Sequence, residues 1–241
     1  MAGWDETNRP TGYTPNEWAN LNFYGDYCDI SMELDELLSY LREFQNYIQV
    51  THHHLESGRI SGHDALQLEQ MKYNFQHTHG NILRQSTIIS LYILLEIGID
   101  KYCKTFSKHL KTKLKANDFK GDVLERFKTY ANKVINIPFD FSSDLWNYMV
   151  GLHEVRNCLV HSNGIIENFG KRKIIEQFSK RQNLIIIKND YFIDITFNGC
   201  RESIEQVDRF FVTVTELAFD AYPGRYRLKK ADEFTLPIAR R

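Results

Sequence analysis

Apolar residues recur at intervals of three and four positions through most of the chain, which is the spacing of one face of an α-helix. Such stripes run through residues 31–48, 64–109, 121–134 and 201–222. The clearest stripe lies in residues 144–160 and carries the side chains of Leu145, Tyr148, Met149, Leu152, Val155 and Leu159. This pattern predicts a mainly α-helical bundle in which each helix buries one face.

Two stretches depart from the helical spacing. Residues 1–30 contain glycine, proline, asparagine and aromatic residues without a helical period, which predicts an extended arm packed on the body or partly disordered. Ser31 then provides a predicted N-cap for the first helix. Residues 184–187 and 191–197 flank Lys188-Asn189-Asp190, a pattern typical of a short β-hairpin.

These patterns divide the chain into four consecutive parts. We predict an N-terminal arm over residues 1–30, a helical extension packed on the bundle over 31–80, a core over 81–222 and a basic C-terminal tail over 223–241. The helical pattern is expected to bend or break near Gly80, because glycine is a weak helix former.

The chain lacks the signatures of several large protein classes. It contains no GxGxxG, GxxxxGK[ST] or GxSxG motif, so no dinucleotide site, P-loop or hydrolase elbow is expected. His153 and Glu154 begin an HExxH zinc motif, but Asn157 occupies the position of its second histidine. Adjacent helical residues diverge by about 100°, so His52-His53-His54 is expected to be a polar helix end. We therefore expect no cofactor and no metal.

Composition favours a cytoplasmic location. The four cysteines form no CxxC pair, so no disulfide framework is indicated. The longest apolar stretch, Ile88–Ile99, is well short of the roughly 20 residues that cross a bilayer. No apolar leader opens the chain, so neither secretion nor a membrane partner is expected.

The small net charge of −1 hides an uneven distribution along the chain. Residues 1–40 hold eight acidic residues and one basic residue, whereas residues 101–133 hold ten basic and three acidic residues. The basic segment is either a solvated helical face or an electrostatic footprint for a polyanion. On the second interpretation the candidate RNA-binding residues are Lys101, Lys104, Lys108 and Lys111.

The chemically informative residues lie near the end of the apolar helix over 144–160. Arg156 offers a planar fork that matches phosphate oxygens, and Asn157 follows it directly. His161 lies at the C-terminal end, where the helix dipole stabilises an imidazolium. Arg156 and His161 are about 140° apart around the axis, so a second copy across a two-fold axis could complete a shared site.

Arg156, Asn157 and His161 resemble the signature of the HEPN superfamily (higher eukaryotes and prokaryotes nucleotide-binding domain): an arginine, a polar residue, and a histidine after four to six positions. The resemblance extends upstream to Leu91-Tyr92-x-x-Leu95-Glu96 and covers roughly residues 82–220. It implies a helical bundle that dimerises along the helices bearing the motif.

The resemblance also implies an activity. Many HEPN proteins are metal-independent endoribonucleases that use the ribose 2′-hydroxyl as the nucleophile, and many act as toxins or antiviral-defence effectors. In this chain His161 would accept the 2′-hydroxyl proton or donate a proton to the leaving group. Arg156 would stabilise the charge of the phosphorane, and Asn157 would orient the backbone or its neighbours. Glu96 would either hold Arg156 or be a buried structural partner. The implied partners are an RNA substrate, a second copy of the chain, and a cognate antitoxin or regulatory protein.

A second interpretation of the same residues remains open. Some HEPN domains are catalytically inactive and bind a protein partner or a nucleotide. In that case Arg156 and His161 would cap the helix and pair with Glu96 or Glu154. Asn163 stands where HEPN toxins with a nucleotidyltransferase antitoxin carry a tyrosine, which argues against regulation by tyrosine nucleotidylation.

Overall fold

The computed structural model describes residues 9–57, 65–181, 185–188, 191–224, 226 and 228. The helices in this part of the chain are α1 Pro15–Glu56, α2 Ala65–Tyr73, α3 Gly80–His109, α4 Val123–Tyr130, α5 Asp144–Ser162, α6 Arg172–Arg181 and α7 Phe197–Ala221, and the strands are β1 Ile185–Lys188 and β2 Phe192–Ile195. Two π-helical turns, Asn74–His79 and Ala131–Ile135, and one 3-10 turn, Ala116–Asp118, complete the regular structure. The mainly α-helical fold predicted from the apolar spacing is confirmed.

Helix α1 begins inside the predicted N-terminal arm, so that prediction is wrong for residues 15–30. The helix starts with a capping box: the Glu17 N–H donates to Thr14 Oγ1 at 3.2 Å, and the Thr14 N–H donates to the Glu17 carboxylate at 3.0 Å. Pro15 occupies the first helical position, where its missing N–H is tolerated. Ser31, the predicted cap, lies in the middle of α1.

The buried residues at the start of α1 explain why it is helical. Ala19, Phe23, Tyr27 and Ile30 are buried at intervals of four and three residues, which places them on one face. Gly25 interrupts the sequence pattern here, since a glycine in a helix costs about 1 kcal/mol relative to alanine. Burial of the aromatic face outweighs that cost.

Helix α3 covers the larger part of the apolar stripe predicted over residues 64–109, and the departure from α-helical geometry lies next to Gly80. The π-helical turn Asn74–His79 joins α2 to α3 there.

The hairpin strands pair antiparallel, with Ile185 opposite Ile195 and Lys188 opposite Phe192. The predicted turn residues Asn189 and Asp190 lie outside the described residues.

One described helix was not predicted. Helix α6 buries Ile175 and Phe178, but the strongly charged residues around them mask the short apolar pattern in the sequence. A helix of ten residues shows only two or three turns of periodicity, which is the regime in which sequence patterns are ambiguous.

The chain groups into two compact units that do not follow the predicted consecutive division. Unit I consists of Met1–Ile30, Gly98–Asp140 and Arg209–Arg241, and unit II consists of Ser31–Ile97 and Phe141–Asp208. The boundaries fall within α1, α3 and α7, so residues distant in sequence build each unit.

Unit I has an aromatic core. The ring of Phe23 lies 4.5 Å from that of Phe106, and the ring of Tyr102 stacks on that of Phe211 at 5.7 Å. Gly98 admits this packing, because a Cβ there would lie 2.3 Å from the Phe211 ring. The core therefore specifies a glycine in the middle of α3.

Two hydrogen bonds join the first and last described parts of unit I. The Asn20 side-chain amide donates to the Tyr226 carbonyl at 3.3 Å, and the Tyr226 N–H donates to Asn20 Oδ1 at 2.8 Å. Tyr24 stacks on Tyr226 with ring centroids 4.9 Å apart. Most of the predicted basic tail over 223–241 lies outside the described residues.

Unit II holds α5 through close packing and buried hydrogen bonds. A Cβ at Gly151 would lie 2.2 Å from the Phe178 ring, so the absence of a side chain at Gly151 lets α6 approach α5. The Tyr148 hydroxyl hydrogen-bonds the Ser203 hydroxyl at 2.9 Å and links α5 to α7. These contacts fix the orientation of the helix that carries the candidate site.

One helical run in the described part of the chain, Leu66–His109, is long and apolar enough by composition to cross a membrane. Of the most apolar 18-residue window of this run, 44% is buried inside the structure, and Leu91 and Leu95 belong to the core. The expectation that the chain does not span a membrane stays a prediction.

Candidate functional site

The candidate site is built on the C-terminal half of α5. Ser143 caps the start of this helix by accepting a hydrogen bond from the Trp146 N–H at 3.2 Å. Asn163, with a φ of 49°, ends it in the left-handed region, and Gly164 follows with a φ of 79°. The left-handed cap of α5 is thus Asn163, one residue before the glycine.

Arg156 is half-buried and lies against α3. Its guanidinium carbon is 5.4 Å from the centroid of the Tyr92 ring, within the range of a cation–π contact. Its Nη1 donates to Asn157 Oδ1 at 3.0 Å. The Nε atom is buried and hydrogen-bonds no described residue, so the guanidinium keeps an unsatisfied donor.

A fourth side chain, His153, extends this network, and the sequence interpretation missed it. Its Nε2 lies 2.9 Å from Asn157 Nδ2, and its Nδ1 lies 2.6 Å from the Tyr92 hydroxyl. The signal in the sequence was the four-residue spacing between His153 and Asn157, which places both on one face of a helix. The contact with Tyr92, 61 positions away, had no sequence signal.

The hydrogen-bond partners assign the hydrogens of this network. The arginine side chain only donates hydrogen bonds, so the Asn157 side-chain oxygen must face Arg156 and its NH₂ group must face His153. That amide group donates to Nε2 of His153, which leaves the ring hydrogen on Nδ1. His153 Nδ1–H then donates to the oxygen of Tyr92.

His161 lies apart from this network, in the last turn of α5, and is exposed. It makes no hydrogen bond with Arg156 or Asn157, all three of which the structure describes. The angle of about 140° between Arg156 and His161 on the helix explains the separation. The structure therefore groups Arg156 with Asn157 and leaves His161 on another face.

The two predicted acidic partners also differ from expectation. Glu96 is half-buried on α3 and forms no ion pair with Arg156, whose described neighbours are Tyr92 and Asn157 instead. Glu154 is buried and pairs with Lys171, with Nζ 3.7 Å from Oε1. The ion pair ties α5 to the residue that precedes α6.

The four candidate RNA-binding lysines belong to unit I, whereas Arg156 and His161 belong to unit II. Lys101 pairs with Asp29 at 2.5 Å and with Asp26 at 3.6 Å, and Lys104 pairs with Asp100 at 2.5 Å. Lys104 is exposed, as are Lys108 and Lys111. Acidic residues therefore offset part of the positive charge predicted for this face.

One cysteine, Cys158, directly follows Asn157 on α5. Burial raises the pKa of the Cys158 thiol to about 11, so the thiolate nucleophile is scarce at neutral pH. The described residues contain no group of three or more histidine, cysteine, aspartate or glutamate side chains that could hold a metal ion. His52 lies near the end of α1 and pairs with Glu56 at 3.6 Å.

No protein-family model matches the chain, and no significant match was found among curated proteins or solved structures. Any function assigned to the site therefore depends on the chemistry of its own residues. The guanidinium held by Tyr92 and Asn157 can bind an anion, and the exposed imidazole of His161 can transfer a proton.

Proposed function

We propose that this chain is a metal-independent endoribonuclease of the HEPN type. The observation that carries the proposal is the half-buried Arg156 guanidinium, which Tyr92 and Asn157 hold in one orientation. A guanidinium that is already oriented suits a phosphoryl group, because the developing charge meets donors that need not reorganise. His161 on the same helix supplies an accessible proton carrier.

The reaction proceeds by attack of a ribose 2′-hydroxyl on the adjacent phosphorus. His161 takes up the 2′-hydroxyl proton or delivers a proton to the departing 5′-oxygen. Arg156 stabilises the negative charge on the phosphorane oxygens, and Asn157 holds Arg156 in orientation. The products are a 2′,3′-cyclic phosphate and a free 5′-hydroxyl.

The separation of Arg156 from His161 supports a composite site in a homodimer. Within one chain the two side chains lie on different faces of α5, and a two-fold axis would bring Arg156 of one copy toward His161 of the other. Ile93, Ile97 and Val160 are exposed on α3 and α5, the helices that carry the site. Exposed large apolar residues of this kind are typical of subunit interfaces.

The test is cleavage of a labelled RNA in EDTA by the wild-type chain and by two variants, His161→Ala and Arg156→Lys. We expect cleavage by the wild type and loss of cleavage in His161→Ala. The cleavage rate of Arg156→Lys should fall at least about a hundredfold, because an ammonium cannot reproduce the planar, bidentate guanidinium. DNA and 2′-O-methyl RNA should resist cleavage, since both lack the nucleophile. Activity that EDTA abolishes and Mg²⁺ restores would disprove the mechanism.

The biological role proposed with this activity is that of a toxin or antiviral-defence effector, with an antitoxin or regulatory protein as its partner. Induced expression of the wild-type chain should arrest bacterial growth, and expression of His161→Ala should not. Equal growth of the two strains at equal protein levels would contradict this role.

One observation favours a second candidate, an inactive HEPN module that binds a protein partner or a nucleotide. Arg156 already uses Tyr92 and Asn157 as internal partners, and His161 contacts neither of the other two motif residues. Failure of the wild-type chain to cleave any RNA would favour this candidate.

A further inference from the structure

Helix α6, to which the sequence motif assigns no role, carries basic residues on its exposed side. Residues 171–181 contain five basic residues and one acidic residue. The apolar residues Ile175 and Phe178 are buried, whereas Lys173, Gln177 and Lys180 are exposed at a spacing of four and three. This spacing places the three exposed side chains in one stripe on the solvent side of the helix.

No described acidic side chain neutralises the two lysines of this stripe. Lys173 and Lys180 pair with no described carboxylate, in contrast to Lys171, which pairs with Glu154, and Arg172, which pairs with Glu176 at 2.6 Å. Lys173 lies in the first turn, where the helix dipole disfavours a positive charge and no acidic residue offsets it. An external polyanion would stabilise both unpaired charges.

The position of α6 on α5 connects this stripe to the site. The close approach of Phe178 to Gly151 and the ion pair between Lys171 and Glu154 hold α6 against α5. Glu154 and His161 are seven residues apart, so they share one face of α5 at a separation of about 10 Å along the axis. Lys171 therefore lies on the face of α5 that carries His161.

We infer that the exposed stripe of Lys173, Gln177 and Lys180 on α6 binds the phosphodiester backbone of a single-stranded RNA and guides it to His161. This inference rests on the proposed function. Seven residues of helix separate the two lysines by about 10 Å, which suits contact with separate phosphates of one strand. A basic amphipathic helix can also bind a membrane surface, but the apolar face of α6 is occupied by its packing in unit II.

Binding of a fluorescent 2′-O-methyl RNA in EDTA separates this inference from cleavage, because that RNA lacks the nucleophile. The test compares the wild-type chain with Lys173→Gln/Lys180→Gln and with the control Arg42→Gln/Arg209→Gln, which removes the same charge from two exposed residues on α1 and α7. At about 0.1 M salt the first variant should bind on the order of tenfold more weakly. The slope of log affinity against log salt should fall by about 1.4, which corresponds to two lost phosphate contacts. Circular dichroism should show equal helix content in all three proteins.

Several results would overturn the inference. These are wild-type affinity in the α6 variant, a larger loss in the control, or binding of poly-glutamate as tight as that of RNA. The two proposals fail separately. Wild-type binding that depends on Lys173 and Lys180, without cleavage of any RNA, would refute the nuclease and leave the surface standing. Cleavage with an unchanged KM in the α6 variant would refute the surface and leave the nuclease standing.

Discussion

Arg156 owes its orientation to Asn157 of the motif and to two side chains outside the motif, Tyr92 and His153. Tyr92 provides a ring face, and His153 fixes Asn157, which in turn accepts from the guanidinium. Arginine donates and cannot accept, so the orientation of the Asn157 amide and then the ring hydrogen of His153 follow from it. At the scale of single residues, the site is therefore a directional network whose hydrogen bonds run from Arg156 through Asn157 and His153 to Tyr92.

The network predicts the tautomer of His153. In the wild-type chain the ring hydrogen should lie on Nδ1, and nitrogen-detected NMR should show this directly. Asn157→Asp replaces the donor facing Nε2 by an acceptor, so the hydrogen should move to Nε2 or both nitrogens should carry one. Asn157→Ala should lower the free energy of unfolding by about 1–3 kcal/mol, because buried polar partners are left unmatched. An Nε2–H tautomer in the wild-type chain would contradict the network.

Asp26 gives unit I an unusual dependence on pH. Burial raises the pKa of this carboxyl, although hydrogen bonds and charge from Thr105 and Lys101 act in the opposite direction. A raised pKa in the folded state means that folding favours the protonated form. The stability from Asp26 is thus fully present below the unfolded pKa of aspartate and is lost as the pH rises through the folded pKa.

The check is denaturant unfolding of the wild-type chain and of Asp26→Asn across the acidic to neutral range. The stability of the wild type relative to the variant should fall as the pH rises through the raised pKa. The Thr105 hydroxyl can still donate to the asparagine oxygen, which makes the variant a fair control. A relative stability that rises with pH over that range would show that the carboxyl is stabilised as the anion.

At the scale of elements, glycines decide how closely helices approach. Gly151→Ala would place a Cβ 2.2 Å from the Phe178 ring, so α6 must move away from α5. We expect a loss of about 1–3 kcal/mol in the free energy of unfolding, the usual range for overpacking. Adding Phe178→Leu to this variant should restore part of the lost free energy of unfolding. Additive effects of the two substitutions would show that the contact between residue 151 and the Phe178 ring does not cause the loss.

Gly25→Ala is the matched control for that experiment. Gly25 also lies within a helix, α1, but nothing lies within 4 Å of a Cβ built there. The substitution should therefore stabilise the chain by up to about 1 kcal/mol, the difference in helix propensity between glycine and alanine. Chemical denaturation measures both glycine variants on the same scale.

The elements divide into those that the sequence patterns predicted and those that they did not. Helix α5 was predicted because its long apolar stripe repeats over five turns. Helix α6 and the start of α1 were missed, because a short charged helix and a helix containing Gly25 have weak local patterns that tertiary burial overrides. The motif on α5 was visible, but its link to Tyr92 depends on two helices meeting, which local spacing does not encode.

At the scale of the whole molecule, the proposed dimer makes a prediction about the surface. Ile97 is 58% exposed on α3 and Met32 is 63% exposed on α1. If α3 and α5 form the two-fold interface, Ile97→Asp should convert the dimer to a monomer at micromolar concentration and reduce RNA cleavage. Met32→Asp should leave both unchanged. Light scattering that shows a monomeric wild-type chain would rule out the composite site.

The hydrogen bonds between Asn20 and Tyr226 have a consequence for protein synthesis. The two residues are 206 positions apart, so these hydrogen bonds of unit I form only after residue 226 has left the ribosome. Unit II, which carries Arg156 and His161, likewise draws on residues as late as Asp208. A nascent chain thus lacks an assembled site until residue 208 has emerged, and under the proposed nuclease function the messenger being translated would be spared until then.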